Sequence, residues 1–328
     1  MSWFPLYEAA LKGDLEKVTV LLANGADPNK ASTNGSTPLI MASQEGYLSI
    51  VETLLGKGAD PNKASTNGST PLIIASQDGN LPLVETLLEK GADPNKARTT
   101  TGSTPLYVAS LNGHHPVVEA LLGKGADPNK ARTDNGATPL FMASGNGHLP
   151  VVEALLGKGA DPNMAITNGA TPLYVASLLG YNLVVKALLG KGADPNKART
   201  TDGLTPLFIA TQYGDLEVVQ ALLKKGADPN KANLDGVTPI QAATTPGLAD
   251  FMREYDRRNK TMLGIAALDN VTRDTDATLP LDLYEYLGKK DPNGNYVAGR
   301  RRKTKKSRKT KKSKKSKKSK KSKKRRIL

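Results

Sequence analysis

The stretch TPLIMASQEGYLSIVETLLGKGADPN, Thr37 to Asn62, carries the architecture of the chain. Thr37 is placed to cap a helix, and Pro38 suits the first helical position, where its missing N–H costs nothing. Leu39 and Ala42 mark the buried side of that short helix, and Gly46 ends it. Ile50, Val51, Leu54 and Leu55 then recur at helical spacing, which predicts a second helix. Gly58 supplies a left-handed stop and Asp60-Pro61-Asn62 turns the chain. The polar KASTNGS that follows reads as an extended finger with a tight turn at Asn67-Gly68.

Outward from this stretch the same phrase returns. Thr-Pro-Leu or Thr-Pro-Ile starts at Thr37, Thr70, Thr104, Thr138, Thr171, Thr205 and Thr238, in near-equal steps. Gly-Ala-Asp-Pro-Asn starts at Gly25, Gly58, Gly91, Gly125, Gly159, Gly192 and Gly226. A degraded copy, Phe4-Pro5-Leu6-Tyr7-Glu8-Ala9-Ala10, stands one period before Thr37. Eight repeats result: an atypical first, six full ones and an atypical last, predicting an all-α solenoid over residues 1–258. Such a stack has no single core, and its ends need polar caps. Arg253, Glu254, Asp256, Arg257 and Arg258 stand where a full repeat goes on to Gly-Ala-Asp-Pro-Asn, which suits a cap. Gly56, Gly123, Gly157 and Gly190 fall in the last turns of second helices, each costing up to about 1 kcal/mol relative to Ala.

The 33-residue period, the T-P-L-x-x-A phrase and the LLxxGADPN phrase closely resemble the ankyrin repeat, over about three-quarters of the chain. The resemblance implies helix–turn–helix repeats joined by β-turn fingers. The family's His after T-P-L is Ile40, Ile73, Tyr107, Phe141, Tyr174, Phe208 or Gln241 here, so packing is expected to replace its polar link. The resemblance also implies a protein client, held on the concave face by finger tips and first-helix ends. Those ends vary between repeats, and an extra residue falls in some fingers; drift in exposed loops is the competing explanation. Leu178-Leu179, an apolar pair expected to be exposed, speaks against pure drift. With Leu111-Asn112 and Gln212-Tyr213 it places the expected client site in repeats 4 to 7.

Reactive chemistry is sparse. The chain has no cysteine, hence no disulfide, thiolate ligand or cysteine nucleophile, which suits an intracellular protein. Its three histidines, His114, His115 and His148, follow the glycine between two helices and read as capping or surface residues. The repeated Asp60, Asp93, Asp127, Asp161, Asp194 and Asp228 lie one repeat apart, too far for paired-carboxylate catalysis. GKGADPNK lacks the phosphate-loop spacing and follows a helix. No catalytic residue, metal or cofactor is expected. No run of 18 apolar residues predicts a membrane span, and the N-terminal stretch lacks the layout of a secretory signal.

Beyond the repeats, residues 259–299 are expected to hold one apolar helix at Thr261–Leu268, a polar linker, and a short amphipathic helix in TLPLDLYEYLG, Thr278 to Gly288. Leu279, Pro280, Leu283 and Leu287 resemble the start of an F-box, which implies docking on the Skp adaptor of a cullin–RING ubiquitin ligase. Only 12 residues separate this motif from Arg300, so the later F-box helices are expected to be missing or reduced. The same helix reads equally as a cap on the solenoid, since so short a helix must dock on something.

Residues 300–328 hold 20 Lys and Arg and no acid, which leaves the remainder mildly acidic within a net charge of +15. Lacking apolar residues before Ile327, this tail is expected to be disordered. Arg300, Arg301, Arg302, Lys303, Lys323, Lys324, Arg325 and Arg326 suit nuclear import, non-specific binding of nucleic acid or an anionic surface, or solubility. The layout is similar to that of ankyrin proteins of large DNA viruses, with a tail like those in viruses of green algae. The expectation is thus a monomeric adaptor in cytoplasm or nucleus, of a host cell if the source is viral.

Overall fold

The computed structural model describes residues 4–274. The chain divides into two compact parts, Met1–Met252 and Arg253–Leu328. The first is an all-helical solenoid, with no strand among the described residues. Repeat 1 is α1 (Pro5–Lys12) and α2 (Leu15–Ala23); repeat 2 is α3 (Pro38–Gln44) and α4 (Leu48–Gly56). Repeat 3 is α5 (Pro71–Gln77) and α6 (Leu81–Glu89), and repeat 4 is α7 (Pro105–Asn112) and α8 (His115–Gly123). Then come α9 (Pro139–Asn146) with α10 (Leu149–Gly157), α11 (Pro172–Leu179) with α12 (Asn182–Gly190), and α13 (Pro206–Tyr213) with α14 (Leu216–Lys224).

The first helices start as their sequence dictates. Each Thr of the full repeats accepts a hydrogen bond from the backbone N–H three residues on, at 3.1–3.2 Å, from Thr37 with Ile40 to Thr205 with Phe208. Proline occupies the first helical position every time. These helices are buried on nearly every side, not only along Leu39 and Ala42: in α3 the whole run Pro38–Ser43 is buried. First helices pack against first helices of both neighbours and against their own second helix, so little of the cylinder is left to water. The second helices keep a conventional amphipathic face, with Ile50, Val51 and Leu54 inside.

Two ladders tie the repeats together. Asn29 donates to the Gly58 carbonyl (2.9 Å) and accepts from the Asp60 N–H (2.8 Å). Asn62, Asn95, Asn129, Asn163 and Asn196 repeat that bridge to the next turn. At the fingers, backbone bonds pass between neighbours, as from Thr66 N–H to the Asn34 carbonyl (3.1 Å). The Asp-Pro-Asn phrase is therefore an inter-repeat connector as well as a turn.

One buried position is left unpaired. The hydroxyls of Ser43, Ser76, Ser110, Ser144 and Ser177 occupy one register of the first helices and have no hydrogen-bond partner. At the same register Thr211 donates to the Leu207 carbonyl at 2.7 Å. A buried unpaired hydroxyl costs more than it returns, so Ser110→Ala should raise stability by about 1 kcal/mol. Thr211→Ala, which removes a made bond and a packed methyl, should lower it. Urea denaturation of the two variants checks the opposite signs.

Repeat 8 departs from the pattern. Thr238 and Gln241 exchange cap hydrogen bonds, Gln241 N–H to Thr238 Oγ1 at 3.4 Å and Thr238 N–H to Gln241 Oε1 at 2.8 Å. The turn does not lengthen into a helix, because Thr244 and Thr245 lead directly into Pro246. Helix α15, Pro246–Asp274, takes over. In the second part of the chain its exposed face carries Glu254 paired with Arg257 and Arg258, and Asp256 paired with Lys260. Residues 269–274 are helical, which corrects the expectation of a linker starting at Asp269. No proline interrupts the segment after Pro246, and i,i+3 and i,i+4 ion pairs support its start. Leu279–Leu287 and Arg300–Leu328 lie outside the described residues.

Candidate functional site

The expected client residues lie at the C-terminal ends of α7, α11 and α13. Leu111, Leu178, Leu179 and Tyr213 come together in one apolar cluster with Tyr107, Val108, Phe141, Tyr174, Val175 and Ile209. Met142, Ile166, Leu204, Leu111, Leu179 and Tyr213 are its partly buried members. Asn112 and Gln212 are exposed and polar and lie outside it. Leu178 is only 6% exposed, which corrects its placement at the surface. It packs in the core cluster with Tyr174, Val175 and Ile209, and the first helices on both sides, α9 and α13, lie against α11. Of the Leu178-Leu179 pair only Leu179 keeps an open face.

Above this cluster stand arginines not expected from the sequence. Arg132 stacks on the Tyr107 ring, 5.5 Å from its centroid, and a guanidinium N–H points at the Tyr107 hydroxyl at 3.4 Å. Arg199 lies 5.1 Å from the centre of the Tyr174 ring. A polar link therefore exists at the register of the missing family His, supplied by the finger of the following repeat. Each of these arginines is held by a carboxylate of its own finger. Arg132 Nε donates to Asp134 at 2.9 Å, and Arg199 Nε donates to both oxygens of Asp202 at 3.1 Å. That hydrogen bond raises the pKa of each guanidinium and lowers that of its Asp. Burial pushes the Tyr174 phenol up to about 12, so it stays protonated as a neutral stacking surface.

A signal for these arginines exists in the sequence. The longer fingers, with one residue more between Gly-Ala-Asp-Pro-Asn and the next Thr-Pro, contain Arg98, Arg132 or Arg199. The shorter ones contain Ser32, Ser65, Ile166 or Asn233 at the same register. The short turn closes with Gly35 N–H on the Ser32 carbonyl, the long one with Gly102 N–H on the Arg98 carbonyl, one residue wider. The inserted residue and the arginine come as a set.

The histidines are structural. His114 Nε2 meets the Gln77 carbonyl at 3.0 Å and His148 Nε2 the Leu111 carbonyl at 3.2 Å. Each ring sits on the preceding repeat's glycine, where a Cβ on Gly79 would come within 2.6 Å of His114. His115 lies on the surface, 3.6 Å from Glu119. Among the described residues no group of three or more His, Cys, Asp or Glu is placed to hold a metal ion. No helix among them is long and apolar enough to cross a membrane. Two hollows, at Phe4–Tyr7 with Lys30 and at Gly214, Leu216, Gln220, Leu248 and Phe251, have no member of the apolar cluster in their lining.

Comparison with known proteins agrees with this architecture. A family model described as ankyrin repeats (3 copies) matches residues 6–98, 57–132, 96–166, 129–199 and 173–255. Among solved structures, the crystal structure of the human ASB11 ankyrin repeat domain is similar, with 28% identity and a TM-score of 0.58. The alignment covers 69% of this chain and 99% of that one. Matches extend to 587 solved chains, so the likeness marks a scaffold and not one particular client. No curated protein matches the chain. The fold is that of a non-catalytic protein-interaction scaffold. Because the family matches run in overlapping steps across residues 6–255 of 328, the chain belongs to the ankyrin-repeat family.

Proposed function

We propose that the protein is a non-enzymatic adaptor that holds a protein client on the first-helix face of repeats 4 to 7. The observation that carries this reading is the apolar cluster whose partly buried members, Leu111, Met142, Leu179 and Tyr213, come from four successive first helices. A row of half-open apolar side chains on a rigid stack is the pattern of a docking face. The test replaces Leu179 and Tyr213 with Ser together, leaving Leu178 in place. Recovery of co-purifying protein should fall at temperatures well below the melting transition, where the variant, though less stable than wild type, is still folded. Unchanged recovery would remove the client from this face.

In the finer reading, Leu279, Pro280, Leu283 and Leu287 recruit the Skp adaptor of a cullin–RING ligase, which makes the protein a substrate receptor. Its support is the L-P-x-x-L-x-x-x-L spacing, on residues outside those described. Leu283→Ala with Leu287→Ala, or Pro280→Ala alone, should weaken recovery of the adaptor and cullin and leave solenoid melting unchanged. A lowered melting temperature with no adaptor at any stage would make the segment a cap.

The concentration of 20 basic residues in 300–328 favours a second role, as a nuclear import signal or a tether to nucleic acid or an anionic surface. Removal of residues 300–328 should abolish heparin and DNA binding, whose strength in the full chain should fall steeply with salt. Retained binding would place the polyanion site in the repeats.

A further inference from the structure

We propose that Arg98 is the anion anchor of the client site, pairing with an Asp or Glu side chain of a bound segment whose apolar residues rest on Leu111, Met142, Leu179 and Tyr213. This rests on the reading of the first-helix face as the client surface.

Three arginines share one register of the long fingers, and two of them are neutralised within their own finger. Asp134 follows Arg132 by two residues and Asp202 follows Arg199 by three. The finger of Arg98 offers Thr99, Thr100 and Thr101 instead. Its guanidinium reaches only neutral acceptors: Nε donates to Ser69 Oγ at 3.0 Å and Nη2 to Gln77 Oε1 at 3.0 Å. Among the described residues no carboxylate forms an ion pair with it, Asp78 beside Gln77 included, whereas Arg132 and Arg199 each have one. A guanidinium has five N–H donors in a fixed fork, so capacity remains for a bidentate carboxylate. Burial and the nearby Arg132 both act against its charge, as expected of a cation lacking a counter-ion.

The shorter fingers do without arginine at this register. Ser32, Ser65, Ile166 and Asn233 stand at the same register in fingers that close normally. The position of the charge is instead useful to a partner. Gln77, which takes the Arg98 guanidinium through its side chain, takes Asn112 Nδ2 through its carbonyl at 2.8 Å. Asn112 follows Leu111, an edge member of the apolar cluster. One unpaired cation thus borders one end of a half-open apolar row. The chemistry that satisfies both is a segment with a carboxylate at one end and apolar side chains beyond it. The ligand is therefore a carboxylate of a protein, and Lys- or Arg-led segments drawn to the exposed Glu45 and Asp78 are the opposing outcome.

The test selects a displayed random peptide library on the full-length chain at physiological salt, in parallel on wild type, Arg98→Gln and Tyr213→Ser. Wild type should enrich peptides with Asp or Glu beside apolar residues. Arg98→Gln should keep the apolar preference and lose the acidic one, and a peptide taken from the wild-type selection should bind it roughly 10-fold more weakly or worse. The basic tail attracts acidic peptides to every variant alike, so only the difference between variants counts. Arg98→Ser, the residue of the register at Ser32 and Ser65, repeats the comparison should Arg98→Gln melt early. Tyr213-dependent peptides with no acidic preference, or with a basic one, would overturn the anchor and leave the face intact. Peptides indifferent to Tyr213→Ser would overturn the face itself.

Discussion

Leu178→Ala is expected to lower the stability of the solenoid by about 2–5 kcal/mol, the range for truncating a buried leucine. The side chain is 6% exposed and belongs to the core cluster shared by Tyr174, Val175 and Ile209. Truncation leaves a void in that cluster, and helices pinned by Thr caps and asparagine bridges have little freedom to collapse into it. Leu179→Ser, one residue on, removes a partly buried side chain and should cost less than the Leu178 truncation. The two adjacent leucines therefore separate two properties: Leu178 reports stability and Leu179 reports binding. Chemical denaturation of both single variants, beside recovery of bound protein, checks the division. Equal melting of Leu178→Ala and wild type would mean that Leu178 is not buried in the core cluster as described.

The second large effect is expected from Gly68→Ala, at about 2–5 kcal/mol from the two costs that follow. Gly68 has φ +80°, where an L side chain is strained by about 1–3 kcal/mol. A Cβ there would also stand 2.2 Å from the Thr99 backbone nitrogen and 2.7 Å from its Oγ1, so the next finger must move. That adds an overpacking cost of about 1–3 kcal/mol. The moving finger carries Arg98, and the bonds from Arg98 to Ser69 and Gln77 should loosen with it. Gly56→Ala is the control of opposite sign. Gly56 closes α4, has nothing within 4 Å of a would-be Cβ, and should gain up to about 1 kcal/mol. Thermal melting of the pair, with hydrogen exchange at the fingers, checks both sign and location. A neutral Gly68→Ala would show that the finger turn has room the backbone contacts deny.

Much of the architecture is written locally. Thr-Pro starts, glycine stops and leucine spacing act within a single helix or turn, so the number of repeats, the helix pairs and the finger turns follow from Thr37–Asn62 and its copies. The histidines, too, could be set aside as structural from their place after a glycine. Where two local rules compete, the outcome is harder to read: Thr238-Pro239 repeats the first-helix start, yet the chain makes only a turn before Pro246, and the segment after Pro246 is helical through Asp274.

Other features depend on what the next repeat does. Leu178 at a first-helix end looks exposed until the neighbouring first helices are stacked on α11, because its burial in the core cluster depends on repeats one whole period away along the chain. Arg132 and Arg199 look like surface charges until their fingers bring them over Tyr107 and Tyr174 of the preceding repeats. Arg98 looks like its two counterparts until the finger carboxylates are seen to hold only those two. Repeat count and helix order rest on hydrogen bonds within a single helical turn, so the chain spells them out unaided. The identity of the face, its open leucine and its unpaired arginine rest on contacts between repeats, which exist only once the stack is assembled.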